Sequence, residues 1–181
     1  MKKIFLISLI VLLIISCKKN ITNSFDIGII MPLAIGNNWV YEDDDGDLSE
    51  VNITSEIDID GITWYIDNSN NFYRNNSEGL WIYDLEDDRE GLLIKYPIDI
   101  NESYIDISGE RYTCNSTDIT FANYTNCHEY YTRNEINNGV IEFILYFKPN
   151  IGMVGNVFNV VSDDGTGNFT AMSTLKSYTI N

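Results

Sequence analysis

The chain predicts an all-β protein: one antiparallel domain folded as a sandwich or a curved open barrel. Three observations carry that expectation. Apolar and polar residues alternate in several segments, the period of a half-buried strand. Clusters of Asn, Asp and Gly separate those segments at short intervals, as hairpin turns do. The composition suits strands, with 13% aromatic residues, twelve Tyr and abundant Ile. Helical periodicity is absent beyond the first apolar run.

That run opens the chain. Met1, Lys2 and Lys3 form a basic head, and Ile4 to Ile15 is apolar apart from Ser8. Twelve helical residues reach about 18 Å, too short for a hydrocarbon core of about 30 Å. A basic head, a short apolar stretch and a small residue describe a secretory signal. Residues 1–16 are therefore expected to be removed. Residues 17–30 are polar and read as a tether, and residues 31–181 read as the β domain.

Within the domain, Val51, Ile53, Ile57 and Ile59 share one parity. Asp60-Gly61 is a two-residue hairpin signal, and Ile62, Trp64 and Ile66 resume alternation beyond it. "NFYR" and "LWIYD" flank "NNSEG" as a second hairpin, and "EDDREG" turns into "LLIKY". In "VIEFILYF", Ile141, Phe143, Leu145 and Phe147 make a wholly apolar face. Phe143 is expected in the core and its neighbour Glu142 at the surface. "VFNVVS" and "FTAMSTLKSYTI" close the chain as a last hairpin around "DDGTGN". One internal echo spans 65 positions, "MPLAIGNNW" from Met31 against "YPIDINESY" from Tyr96. Proline cannot donate to a sheet, so Pro32 and Pro97 belong at strand entrances or edges.

The formal charge of −16 becomes −18 once Lys2 and Lys3 are cleaved away. This excludes nucleic acid as a partner, because phosphate binding needs Lys and Arg gathered on one face. Candidate chemistry is sparse. Asp43, Asp45 and Asp47 crowd one acidic turn, "YEDDDGD", a weak calcium candidate against a plain solvated turn. Glu56, Asp58, Asp60 and Asp67 fall at ligand-like offsets, but strand alternation on both flanks favours a hairpin. His128, the only histidine, follows Cys127, yet adjacent strand residues face opposite sides. One His and two spaced Cys make no zinc set. No catalytic residue and no cofactor is assigned. Trp81 and Tyr83 share a parity, and Trp64 shares a face with Ile62 and Ile66. Such rings belong mostly to a core, though a few on an outer face could stack on a ligand.

The stretch "LIISC" resembles the lipobox of bacterial lipoproteins: Ile14 three before the cysteine, Ser16 just before it, then Cys17. The resemblance implies cleavage before Cys17, acylation of that residue by chains of the palmitate kind, and membrane lipid as a partner. Lys18 stands where inner-membrane lipoproteins carry Asp, which implies the outer membrane, on its periplasmic or surface face. Further along, "PLAIGNNWVYE", "FKPNIGMV" and "LKSYTI" resemble a group of bacterial outer-membrane lipoproteins with a Pro-Leu-x-x-Gly-Asn-x-Trp entry and a late Pro-x-x-Gly-x-Val segment. Members often have Gly-x-Phe and a cysteine before that segment; "ITFANYTNC" keeps Phe121 and Cys127 and lacks the glycine. No activity comes with the resemblance. If Cys17 is acylated, Cys114 and Cys127 remain in an oxidising compartment, where a disulfide is expected and two buried free thiols are the alternative. The function that fits is a membrane-anchored, non-enzymatic binding, scaffolding or envelope-assembly module, its partner a protein, a glycan or an apolar ligand. The alternatives are a carbohydrate-active enzyme using paired carboxylates and a carrier with an apolar cavity.

Overall fold

A computed structural model describes residues 28–164 and 167–181. The expected signal, Cys17 and most of the tether lie outside the described residues. The chain is all-β, and no helix occurs among the described residues. Twelve antiparallel strands follow in order: β1 (Asn38–Asp43), β2 (Leu48–Ile59), β3 (Ile62–Asp67), β4 (Phe72–Asn76), β5 (Gly79–Asp84), β6 (Arg89–Lys95), β7 (Ser103–Ile105), β8 (Arg111–Phe121), β9 (Tyr124–Ile136), β10 (Gly139–Lys148), β11 (Gly152–Ser162) and β12 (Phe169–Thr179). They form one sheet in the order β6-β5-β4-β3-β2-β1-β12-β11-β10-β9-β8-β7. The sheet curls until its edges nearly meet, a barrel rather than a sandwich. At the open seam, Ile107 N–H donates to Leu92 O at 2.9 Å. Gly91 permits this approach, because a Cβ there would lie 2.7 Å from the Ile107 side chain.

The strand order is that of two six-stranded meanders, β1–β6 and β7–β12, related head to tail. The 65-residue echo marks their starts. Asn37 N–H donates to Ala34 O and Glu102 N–H to Asp99 O, closing equivalent turns. The next contacts repeat as well. Gly36 N–H donates to Ile53 O and Ile53 N–H to Asn37 O; Asn101 N–H donates to Cys114 O and Cys114 N–H to Glu102 O. Gly36 (φ 89°) and Asn101 (φ 68°) take the left-handed conformation that each turn needs. The echo is thus a structural repeat. Pro32 and Pro97 both lie outside strands, in the lead-in segments.

Each lead-in is gripped by a turn of the other half. Glu78, in the β4–β5 turn, accepts a bond from Tyr96 N–H, and Asn150, in the β10–β11 turn, donates to Ile29 O. Gly79 and Gly152 open β5 and β11 at φ 139° and 109°. A Cβ on Gly79 would sit 2.0 Å from Ile94 O, and one on Gly152 would sit 3.0 Å from Met31 Cγ. The segments "PLAIGNNWVYE" and "FKPNIGMV" meet here: Trp39 Nε1–H donates to Ile151 O at 2.5 Å. Buried Asn37 is satisfied by Pro32 O and by Asn181 N–H. These motif residues hold the fold together. Ile29 is hydrogen-bonded and Ile30 buried, so the packed segment starts ahead of Met31.

The abundant tyrosines have a physical role. Tyr41, Tyr104 and Tyr130 are buried and donate to Met153 O, Leu93 O and Lys95 O, tying strands across the core. Burial raises all three phenols and keeps them protonated as donors.

Several expectations need correction. Phe143 is 37% exposed, whereas Phe147, four residues on, is 4% exposed in the core. The apolar face runs past the packed end of the barrel, so Phe147 is the core aromatic of this strand. Phe143 instead packs on Phe158, which meets Phe169. The shared parity of Val51 to Ile59 is also broken. A bulge between Ile53 and Ser55 swaps faces, so Ile53 enters the core while Ile57 pairs with Trp64 on the opposite side. The expected disulfide is not formed: Cys114 and Cys127 are buried free thiols. Cys114 pairs across the ladder with Tyr130, three residues from Cys127. That is about 10 Å along the strand, beyond the reach of a disulfide. Cys114 donates to Ser116 O and Cys127 to Tyr124 O, and burial raises both thiols.

Candidate functional site

The residues singled out for chemistry do not converge. Asp43 Oδ1 accepts the amides of Asp45 and Asp47, and Asp44 accepts Met172 N–H. The acidic turn is thus organised by its own backbone. Among the described residues, no three His, Cys, Asp or Glu side chains stand where they could hold a metal. Asp43, Asp45 and Asp47 are not among side chains so placed. Asp58 Oδ1 caps Gly61 N–H at the β2–β3 tip, where Asp60 and Gly61 both have positive φ. The ligand-like spacing of this segment is a hairpin.

Cys127 and His128 alternate across β9 and cannot act together. His128 Nδ1 is buried without a hydrogen-bond partner, and its ring meets Tyr96 edge-on at 5.3 Å. Burial lowers its pKa from the usual 6.5. The unfolded chain then binds the proton more tightly than the folded one. Stability is full above the unfolded value and declines as pH falls through about 6.5. Urea melts from pH 7 to pH 5 are expected to show this fall, and His128→Phe to flatten it. Equal slopes for both proteins would remove His128 as the cause. Glu102, whose carboxyl is held low by Lys95, titrates below this window.

One surface gathers aromatic and charged groups. Tyr65, Tyr73 and Leu80 face the main core, so Trp64, Arg74 and Trp81 stand on the other side of β3–β5. There the Arg74 guanidinium lies over Trp64 and Trp81, 5.1 Å and 4.8 Å from the ring centroids. It also holds Glu90 in a fork, Nη2 to Oε1 at 3.0 Å and Nε to Oε2 at 3.1 Å. Tyr83 meets Trp64 edge-on at 5.4 Å and donates to Asp88. Trp64, 1% exposed, is buried by these neighbours.

Beside this cluster is a pocket of about 300 Å³, lined by Ile59, Asp60, Ile62, Trp64, Tyr83, Asp88 and Glu90. Its walls are the curled β2–β3 tip and the β5–β6 edge. Across Tyr83 lies a wider groove of about 440 Å³, which Phe72, Leu85 and Ile107 also line. Parity in the sequence placed Trp81 and Tyr83 on one face. It could not add Arg74, Glu90, Asp60 and Asp88, which reach the site only through strand pairing.

The fold has solved counterparts. A candidate lipoprotein from Parabacteroides distasonis is similar with a TM-score of 0.50 at 12% identity, over 84% of this chain and 99% of that one. A candidate exported protein with a YmcC-like fold, from Bacteroides fragilis, is similar with a TM-score of 0.51 at 10% identity, over 84% of this chain and 100% of that one. At these identities the likeness is one of fold. No protein-family model matches the chain, and no curated protein matches it.

Proposed function

We propose that the chain is an exported lipoprotein, held to the outer membrane by acylated Cys17, whose β domain is a binding module that works through its outside. The observation that carries the second half is the filled interior. The apolar cavity lined by Met31, Tyr41, Val51, Tyr73, Leu80, Leu93, Phe147 and Met153 is only about 110 Å³. An apolar cavity of about 150 Å³ holds no more than a benzene-sized ligand. An acyl chain does not fit, which argues against a lipid carrier. An enzyme built on the pocket carboxylates is also less well supported, since Glu90 is engaged by Arg74 and Asp88 by Tyr83.

The first half rests on Met1-Lys2-Lys3, the apolar run and "LIISC". The two structural counterparts, a candidate lipoprotein and a candidate exported protein, support it. From Cys17 to Gly28 the chain can span at most about 40 Å, at about 3.3–3.6 Å per residue. The end of the barrel that grips Ile29 would then face the bilayer. Intact mass of the membrane-purified protein should show a chain beginning at acylated Cys17, and Cys17→Ala should move to the soluble fraction. An unmodified mature terminus elsewhere would overturn the anchoring.

A further inference from the structure

We propose that the pocket beneath the β2–β3 hairpin is a binding site for an amphipathic organic cation, carrying a guanidinium or a primary ammonium. This deepens the binding-module reading and rests on it.

The two halves of the barrel supply the first argument. β2–β3 and β8–β9 are equivalent hairpins, each ending in a two-residue tip. Ile59 and Ile62 pair at the first tip, Phe121 and Tyr124 at the second. In the second half the tip lies closed on the sheet. Phe121 stacks on Tyr146 at 4.0 Å and presses on Gly155, where a Cβ would come within 2.3 Å of its ring. Tyr124 O–H donates to Leu175 O. In the first half the smaller isoleucines leave the corresponding space open, and Ile62 is 39% exposed. One fold thus holds a filled version and an open version of the same junction.

The lining supplies the chemistry. Its floor is apolar and aromatic, from Ile59, Ile62, Trp64 and Tyr83, and every ionised side chain at its rim is a carboxylate. The half-buried Tyr83 ring, beside carboxylates, attracts a cation, and the hydrocarbon stem of such a ligand would cover the isoleucines. The chain itself shows this preference next door. Arg74 has its guanidinium on the Trp64 indole and its charge met by Glu90. That bond also fixes Glu90 at the rim. An anion or phosphate would meet three carboxylates, Asp60, Asp88 and Glu90.

Full-length protein in detergent would be titrated with N-acetyl-arginine amide and with spermidine, following heat and tryptophan fluorescence. The first probe stands for a basic side chain of a partner protein, the second for a free polyamine. Saturable binding of either, weakened by salt, is expected. Asp60→Asn and Asp88→Asn should each weaken it about two- to fivefold, the range of an exposed ion pair. The variant Ile59→Phe/Ile62→Tyr, which copies the filled junction, should fold normally and lose binding. No saturation with either cation would overturn the proposal. So would unchanged binding by a folded Ile59→Phe/Ile62→Tyr variant, or binding of N-acetylglucosamine in place of the cations. None of these outcomes bears on membrane attachment, so the two readings can fail separately.

Discussion

Trp39→Ala is expected to cost about 3–5 kcal/mol, a large share of the roughly 5–15 kcal/mol that keeps a domain folded. The indole is fully buried, and its N–H reaches Ile151 O across 112 residues of sequence. Truncation removes both the packing and the donor. The cavity would open between β1 and the β10–β11 turn, where the two halves interlock. Trp39→Phe separates the two effects: it keeps most of the ring and should lose only the bond to Ile151 O, about 1–3 kcal/mol for an acceptor left buried. Urea melts of both variants check this. Equal losses would show that the hydrogen bond, not the packing, dominates.

Gly79→Ala is the second large effect. A left-handed φ costs about 1–3 kcal/mol for a residue with a side chain. The new methyl would also land on the backbone at Ile94 O and Tyr96 N, which a rotamer change cannot relieve. Overpacking adds about 1–3 kcal/mol. Gly152→Ala is the internal control. It carries comparable φ strain, but its methyl meets side chains rather than backbone, Met31 Cγ at 3.0 Å and Trp39 Nε1 at 3.4 Å. The expected order is therefore Gly79→Ala well below Gly152→Ala in midpoint denaturant, with wild type above both. If the two variants melt together, the closer backbone approach at Gly79 carries no extra cost.

Much of the fold could be read from the amino-acid sequence. Asp60-Gly61 and the "NNSEG" cluster sit at observed turns, because turn residues act through local backbone preference. The segment from Arg111 to Ile136 was harder to read. Its pairing shifts register between Cys114 and Ser116, Ser116 and Ile119, and Ile119 and Phe121. Each shift breaks the two-residue period that reveals a strand. The same effect put Ile57 on the wrong face, since one extra residue at Thr54 inverts all that follows.

For the candidate site, alternation put Trp81 and Tyr83 on one parity and Trp64 with Ile62 and Ile66, as rings belonging mostly to a core. Arg74 in "FYRNN" and Glu90 in "DREG" carry no local signal. Their charges meet because β4, β5 and β6 lie side by side, and register is set by turns and bulges rather than by the residues themselves.

Local chemistry by itself determined that this is an acidic, antiparallel all-β chain, with a lipobox-like start and a 65-residue echo. Those properties depend on nearest neighbours, composition and turn preference, all of which are written in linear order. Only the tertiary structure decided that the echo is a two-half barrel, that Cys114 and Cys127 stay apart, and that Phe143 lies outside the core. It alone decided that an aromatic pocket opens under one hairpin while its twin is filled. These outcomes turn on which strands become neighbours and where a bulge reverses a face, and both are settled by packing between residues far apart in the chain.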